Sequence, residues 1–186
     1  MDSSDDWFKK EHYKAIKFTI SKTKHLLVKA KINGVKGIFI LDTGASVSCV
    51  DFKLSSKFHL KTLKSKIKAS GAGGTGMQTQ ISKNNTFQIG KWNLLDFDIV
   101  LFDMSHVNEA ITEHKSNEVD GIIGADILIK GSAIIDYKTH FFLSFVINSC
   151  FRLKPKFEKL FNTPNLLFSY QTQWIYKIIR SNKIVF

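Results

Sequence analysis

Short stretches of alternating apolar and polar residues follow one another along most of this chain. The clearest lie in residues 25–41 (HLLVKAKINGVKGIFIL), where two segments rich in β-branched residues are separated by Asn33-Gly34. A period of two is typical of strands with one buried face, and Asn-Gly favours the tight turn of a hairpin. The sequence therefore predicts a β-hairpin whose second strand leads directly into Asp42-Thr43-Gly44.

Most of the following elements are predicted to be extended as well. Residues 51–60 have a roughly helical spacing of apolar side chains and predict a short helix or an irregular link, whereas residues 109–118 predict a polar link. Many short strands with few helical patterns indicate an all-β domain. The predicted strands and glycine-punctuated apolar blocks are residues 46–50, 61–69, 78–82, 86–89, 95–102, 120–128, 131–137 and 141–147.

The length and composition indicate one folded domain with extensions. The chain has 186 residues, of which 44% are hydrophobic. This is enough to form a hydrophobic core and argues against disorder. We predict an N-terminal extension at residues 1–12, a domain at residues 13–147, and a C-terminal extension of uncertain structure at residues 148–186. Clear periodicity is absent from the last segment, and no function is assigned to it.

Charge and cysteine content narrow the functional classes only weakly. The chain carries 27 Lys and Arg against 16 Asp and Glu, a net charge of +11, which favours encounters with nucleic acid, anionic lipid or acidic substrates. Nucleic-acid motifs such as zinc-finger spacing are absent, and we interpret the acid-free run of lysines as a solvated face. Cys49 and Cys150 fit neither a disulfide framework nor a metal site. The acid-free run of lysines comprises Lys53, Lys57, Lys61, Lys64, Lys66 and Lys68.

The N-terminal residues and the short length of the apolar runs favour a cytoplasmic protein without a membrane span. Residues 1–11 (MDSSDDWFKKE) are acidic and polar, unlike a secretory signal, which needs an apolar central segment. The most apolar run, residues 141–147, is far shorter than the roughly 18 to 20 residues that cross a bilayer. We therefore expect a cytoplasmic location.

The turn Asp42-Thr43-Gly44 is the candidate for chemistry. Peptide-bond hydrolysis without a metal or a covalent nucleophile requires one carboxylate to activate water and a second, protonated carboxyl to assist the carbonyl oxygen. The two carboxyls must lie close together and therefore share a proton. Small residues in a tight turn allow two copies of such a loop to meet, and the sequence provides them here.

The residues around this turn resemble a known family. Phe39-Ile40-Leu41-Asp42-Thr43-Gly44-Ala45-Ser46 resembles the apolar-apolar-D-T-G-A-S motif of aspartic proteases, in particular the single-domain retropepsin-like branch. Gly121-Ile122-Ile123-Gly124 is similar to the family's apolar-apolar-glycine element, and Ala133-Ile134-Ile135-Asp136-Tyr137 to its closing strand. In order and spacing, the resemblance spans roughly residues 13–140. It implies a closed β-barrel of the acid-protease type.

The resemblance also implies roles for individual residues. Asp42 would be the catalytic carboxylate, and Thr43 would form a hydrogen bond across a dimer to fix both loops. Gly44 would allow close approach, while Ala45 and Ser46 would continue the floor of the active site. The glycine-rich loop about thirty residues later would be the flap over a bound peptide, because glycine permits movement and close backbone approach. That loop comprises Gly71, Ala72, Gly73, Gly74, Thr75 and Gly76.

These implications predict an aspartic endopeptidase that acts as a homodimer on a peptide or protein substrate, without a metal or another cofactor. The chain has a single D-[TS]-G motif, and Asp120, Asp126 and Asp136 lack the required turn, so a second copy would have to supply the second carboxylate. Two alternatives remain: a non-catalytic peptide-binding or dimerisation module of the same fold, and a basic nucleic-acid-binding protein, although no specific nucleic acid is predicted as a partner.

Overall fold

The computed structural model describes residues 13–71, 74–145 and 183–185, and this part of the chain is mostly β. Two α-helices and a 3₁₀ turn, Phe52–Leu54, interrupt the strands. The helices are α1 (Ser105–Glu113) and α2 (Ala125–Lys130). The strands are β1 (Tyr13–Lys17), β2 (Thr19–Ile20), β3 (Leu26–Ile32), β4 (Val35–Leu41), β5 (Cys49–Asp51), β6 (Thr62–Gly71), β7 (Gly74–Ile89), β8 (Trp92–Phe102), β9 (Gly121–Ile123), β10 (Ile134–Asp136), β11 (Phe141–Phe145) and β12 (Lys183–Val185).

The main sheet closes into a ring. Its strand order is β12-β6-β7-β8-β5-β9-β4-β3-β2, and an additional antiparallel pairing of β3 with β7 joins the two sides. The ring therefore runs through β3, β4, β9, β5, β8 and β7, while β1, β11 and β10 form a separate three-stranded sheet. This arrangement confirms the predicted all-β, acid-protease type of fold.

The predicted β3–β4 hairpin is present. Asn33 and Gly34 both have positive φ, 49° and 82°, as a two-residue hairpin turn requires. The Asn33 side chain also joins the turn to the rest of the ring, because its amide nitrogen donates to the Phe58 carbonyl and to Asn85, each at 2.9 Å. The turn residue thus fixes both the local register and a contact between distant segments.

Alternation along β3 separates the core from the outer surface. Leu26, Val28, Ala30 and Ile32 are buried, whereas the residues between them are partly or fully exposed. Full burial of a Leu, Val or Ile side chain contributes about 1.5–3 kcal/mol to the stability of the fold. The interior of the ring is completed by aromatic residues, including Phe18, Phe39, Phe58, Phe87, Trp92 and Phe97.

Two predicted elements differ from the structure. Residues 109–118 were expected to be a polar link, but α1 ends at Glu113 and therefore overlaps the first half of that segment. Ile111 of α1 is buried, and Val107, one turn earlier, packs against the same cluster, so the apolar side of this short helix is narrow. Strands predicted separately at residues 78–82 and 86–89 are parts of the continuous strand β7.

Asparagine side chains explain how β7 stays continuous through its polar centre. Asn84 has a φ of 57°, and the β7–β8 register shifts between Ser82 and Asn85. Buried Asn85 donates to the carbonyls of Ser82 at 2.9 Å and Phe97 at 3.2 Å. These bonds satisfy polar groups at the irregularity, so the strand bends without ending.

Both predicted extensions lie largely outside the described residues. The first strand of the described residues begins at Tyr13, and β11 pairs antiparallel with β1 and β10, in agreement with the prediction of a strand near residue 141. Within residues 148–186 only β12 is described, and it pairs in parallel with β6. Among the described residues, no helix has both the length and the apolar character needed to cross a membrane.

Candidate active site

Asp42 lies where β4 ends and the chain turns sharply. Its backbone N–H donates to the Ile123 carbonyl at 3.0 Å, and its Oδ1 accepts from the Gly44 N–H at 2.8 Å. The side chain is partly exposed, and Thr43 and Gly44 are exposed beside it. The turn therefore holds the carboxylate in one orientation at the surface of this chain.

An inserted strand determines the shape of this loop. β9 lies between β4 and β5, parallel to β4 (Leu41 opposite Ile123) and antiparallel to β5 (Val50 opposite Gly121). The chain must leave β4 and pass over the end of β9 before it can enter β5. The backbone of Asp42 is consequently bound to β9, a strand that lies about 80 residues later in the sequence.

Two glycines of the predicted apolar-glycine element allow the close approach of β9 to the loop. A Cβ at Gly121 would lie 2.1 Å from the Cys49 carbonyl oxygen, and a Cβ at Gly124 would lie 2.7 Å from the Ala45 carbonyl oxygen. Real Cβ atoms essentially never come within 3.0 Å of other heavy atoms. These positions thus require glycine, because there is no space for a larger side chain between β9 and the loop.

A polar network joins the loop to the start of α2. Ser48 Oγ donates to Asp126 Oδ1 at 2.6 Å and accepts from the Gly124 N–H at 2.9 Å. Asp126 Oδ1 also accepts from the Ile127 N–H at 2.8 Å, and the Ala125 N–H donates to the Ala45 carbonyl at 2.8 Å. The loop is therefore bound at both Ala45 and Ser48.

Sequence reasoning missed the roles of Ser48 and Asp126. A partly buried carboxylate two residues after a required glycine, in the first turn of a helix, is a recognisable feature. Its partner could not be identified, because Ser48 and Asp126 are 78 residues apart in sequence. Asp126 acts here through Ser48 on the shape of the loop.

Burial raises the pKa of Asp126, although hydrogen bonds from Ser48 and Ile127 and the charge of Lys130 act in the opposite direction. The contribution of this carboxyl to the free energy of unfolding is therefore fully present below its ordinary pKa. It is lost as the pH rises through the raised pKa of the folded state. We expect Asp126→Asn, which keeps an oxygen for Ser48 and Ile127, to raise the urea midpoint at neutral pH. The gain should vanish near the ordinary pKa of 3.8.

Urea denaturation of both proteins from pH 3 upward, in steps of about one unit, would measure this difference. A gain of equal size at all pH values would contradict the assignment of the effect to ionisation of Asp126. Asp136→Asn provides a control, because hydrogen bonds from Thr139 and Lys138 lower the pKa of that exposed carboxylate. This control should lose stability at neutral pH.

Cys49 and Asp51 follow the loop but face the interior. Both are buried, and burial raises the pKa of the Cys49 thiol well above its usual range. The thiol thus stays protonated, as expected for a structural cysteine. Asp51 Oδ1 accepts from the Lys53 N–H at 2.9 Å and caps the 3₁₀ turn.

The residues of the predicted flap lie at the end of the β6–β7 hairpin. Gly71 and Gly74 pair with each other across the two strands, and Gly76 has a φ of 73°. Ala72 and Gly73 lie outside the described residues. β12 pairs with β6 at Lys68 to Ser70, so the chain itself occupies this part of the outer edge of β6.

Within the part of the chain that the structure describes, Asp42 is partly exposed and Thr43 and Gly44 are exposed. Three cavities of about 560, 350 and 240 Å³ occur elsewhere, and neither Asp42, Thr43 nor Gly44 contributes to their linings. The described residues contain no group of three or more His, Cys, Asp or Glu side chains arranged to hold a metal ion.

Comparison with known proteins finds a family model that covers the segment containing Asp42. Residues 28–127 match the family model described as "Aspartyl protease". None of the curated proteins compared with the chain matches it.

Solved structures similar to this chain include three proteases or protease-like domains. A retropepsin-like aspartic protease from Rickettsia conorii has a TM-score of 0.47 and 16% identity, covering 71% of this chain and 87% of its own. The EIAV protease in complex with the inhibitor HBY-793 has a TM-score of 0.47 and 18% identity, with coverages of 63% and 98%. The retroviral protease-like domain of Ddi1 from Leishmania major has a TM-score of 0.43 and 17% identity, with coverages of 68% and 97%.

Proposed function

The chain belongs to the aspartyl protease family, and we propose that it is an aspartic endopeptidase in which a homodimer brings together two Asp42 carboxylates. The observation that carries this proposal is the placement of Asp42 in an exposed turn, with its orientation fixed by the Gly44 N–H and the Ile123 carbonyl. A carboxylate held in this way is preorganised to act on a bound water.

The proposed need for a second copy is supported by the engagement of Asp120, Asp126 and Asp136 in other contacts. Asp120 forms an ion pair with Lys57 and accepts from the Ile38 N–H at 2.8 Å. Asp126 is bound by Ser48, and Asp136 accepts from Thr139 at 2.6 Å. Their carboxylates thus have structural roles, and Asp42 of a partner chain remains the best candidate for the second catalytic group.

The proposed chemistry uses one proton shared between the two carboxyls. Two carboxylates in contact repel each other, so one is protonated while the other is charged. The charged Asp42 removes a proton from water, the resulting hydroxide attacks the peptide carbonyl carbon, and the protonated Asp42 donates to the carbonyl oxygen. Collapse of the tetrahedral intermediate breaks the C–N bond, with proton transfer to the leaving nitrogen.

The proposed substrate is an extended peptide or protein segment beneath the β6–β7 hairpin. The backbone of such a segment can form strand-like hydrogen bonds with the enzyme, while side-chain pockets determine selectivity. Thr43 would bind the partner loop, and Gly71 to Gly76 would close over the peptide. The exposure of Thr43 and the position of the glycine-rich segment at the hairpin end support these roles.

Mixing active and inactive chains tests the shared-aspartate mechanism. We expect a ninefold excess of Asp42→Asn chains to reduce the activity of a fixed amount of wild type to about a tenth, because random exchange leaves few dimers with two intact carboxyls. The measurement is peptide cleavage after subunit exchange, above the concentration at which dimers form. Unchanged or raised activity despite demonstrated exchange would show that a pair of intact Asp42 carboxyls is not required.

A peptide-binding or dimerisation module of the same fold is the second candidate. The exposure of Thr43 and Gly44 beside Asp42 is compatible with it, since peptide binding requires an accessible surface but no carboxylate pair. Such a module would bind extended peptides equally well before and after the substitution Asp42→Asn and would cleave none. Direct binding and cleavage measurements on the same dimer samples distinguish the two functions.

A further inference from the structure

The outer face of the β3–β4 hairpin carries positive charges that oppose each other. Lys31 and Lys36 are direct partners across the two strands, and Lys29 is the partner of Ile38. Side chains opposite each other in an antiparallel pair lie close together, and like charges at such positions destabilise the sheet. The hairpin therefore maintains an arrangement that is unfavourable for the free protein.

These lysines border two adjoining cavities. The larger, of about 560 Å³, is lined by Lys29, Lys31, Lys36 and Lys57 among other residues, and the smaller, of about 350 Å³, by Lys22, Lys29 and Lys115. Lys29 and Ile38 contribute to both linings, so the cavities form one groove across the sheet, hereafter the lysine groove. Six lysines thus surround a concave surface.

The negative charge within the lysine groove is already neutralised. Asp120 is the one acidic residue in the two linings, and it forms an ion pair with Lys57. Its other oxygen accepts from the Ile38 N–H. Lys29, Lys31 and Lys36 have no ion pair within the part of the chain that the structure describes. The groove therefore presents uncompensated positive charge to a ligand.

The floor of the lysine groove is apolar. Leu27 and Ile38 lie partly buried between the lysines, and Ile20, at 38% exposure, borders the smaller cavity. Phosphate groups of a nucleic acid would gain nothing from aliphatic contacts, and no aromatic side chain for base stacking belongs to either lining. A ligand with both carboxylates and apolar side chains would complement the rim and the floor together.

We propose that the lysine groove binds an acidic polypeptide segment that also carries apolar side chains. The Lys31–Lys36 end of the groove is separate from the catalytic turn, since Lys36 lies six residues before Asp42 on an extended strand, a distance of about 20 Å. The other end reaches Leu27, the cross-strand partner of Ile40. It would recruit a protein substrate or partner through contacts independent of the bond to be cleaved. Binding at this groove does not depend on catalysis and goes beyond the proposed function.

Binding of a designed peptide to the Asp42→Asn chain tests this inference without cleavage. The probe is a fluorescent twelve-residue peptide in which Asp or Glu alternates with Leu or Phe, and a matched peptide has Ser in place of each acid. We expect the acidic peptide to bind in fluorescence anisotropy and Lys31→Glu/Lys36→Glu to weaken it about tenfold or more, because charge reversal turns attraction into repulsion. The serine peptide should bind weakly to both proteins.

Lys61→Glu/Lys138→Glu is the matched control, with the same change in net charge at exposed residues outside both linings. It should weaken binding by less than about twofold. Equal loss in the two double variants would overturn the proposal in favour of non-specific attraction. Tighter binding of a single-stranded oligonucleotide of equal charge at the same lysines would overturn it in favour of nucleic acid.

The single variant Lys31→Glu separates a ligand-binding role from a structural one. Glutamate opposite Lys36 replaces a repulsive cross-strand pair with an attractive one, so the free protein should unfold at a higher urea concentration. The same variant should bind the acidic peptide more weakly. A loss of both stability and binding would indicate that the lysine supports the hairpin, and would contradict the proposed role.

Discussion

Asp42→Asn is expected to abolish peptide cleavage while the fold and the dimer persist. Asparagine has the same shape as aspartate and retains an oxygen that can accept from the Gly44 N–H, so the turn should keep its geometry. It can neither remove a proton from water nor donate one from a carboxyl. Loss of general acid–base catalysis alone lowers rates by about 10² to 10⁴-fold, and replacement in both chains removes both groups.

The measurement is cleavage of a diverse peptide library across pH by wild type and variant, with oligomeric state recorded on the same samples. Asp98→Asn is the matched control, because Asp98 is an exposed carboxylate on β8, a strand that pairs with β5 and β7 and not with β4, which carries Asp42 at its end. The control should retain full activity. Residual cleavage by a purified Asp42→Asn dimer at the wild-type rate would overturn the proposed mechanism, whereas a folded wild-type dimer without activity would favour the peptide-binding module.

The second large effect is expected at Gly121. Its added Cβ in Gly121→Ala would meet the Cys49 carbonyl oxygen at 2.1 Å and the Phe39 ring at 3.1 Å, so β9 would have to separate from β5 or β4. Both neighbours are buried, which leaves little room for adjustment. Overpacking of this kind costs about 3 kcal/mol or more, and we expect either a failure to fold or loss of the Asp42 turn geometry.

Gly34→Ala provides a matched glycine substitution for this experiment. Gly34 has a φ of 82° but no atom near an added Cβ, so alanine there suffers only backbone strain, about 1–2 kcal/mol. Urea denaturation should place Gly121→Ala well below Gly34→Ala in stability. The opposite order would show that β9 can move away from the loop at little cost, and that the close approach is not essential.

Features that depend on nearby residues could be predicted from the sequence. Asn33-Gly34 indicated the hairpin because positive φ at both positions is a local preference. The alternation of β3 indicated which residues face the core, since a strand places successive side chains on opposite sides. The D-T-G turn indicated the site because its chemistry depends on a few adjacent residues.

Features that depend on distant partners could not be predicted in this way. The buried side chain of Asn85 keeps β7 continuous, but its partner at Phe97 lies on another strand. α1 was missed because its narrow apolar side, formed by Val107 and Ile111, is held by contacts with residues distant in sequence. Ser48 and Asp126 meet only after β9 has entered between β4 and β5.

The sequence by itself determined the class of fold, the turn that presents Asp42 and the family. Local preferences of backbone and side chain carry that information, and they act over a few residues. The tertiary structure alone decided that β9 supports the turn and that Lys31 and Lys36 face each other above an apolar floor. These arrangements arise from pairings between distant strands, whose energies depend on the whole closed sheet and not on any one segment.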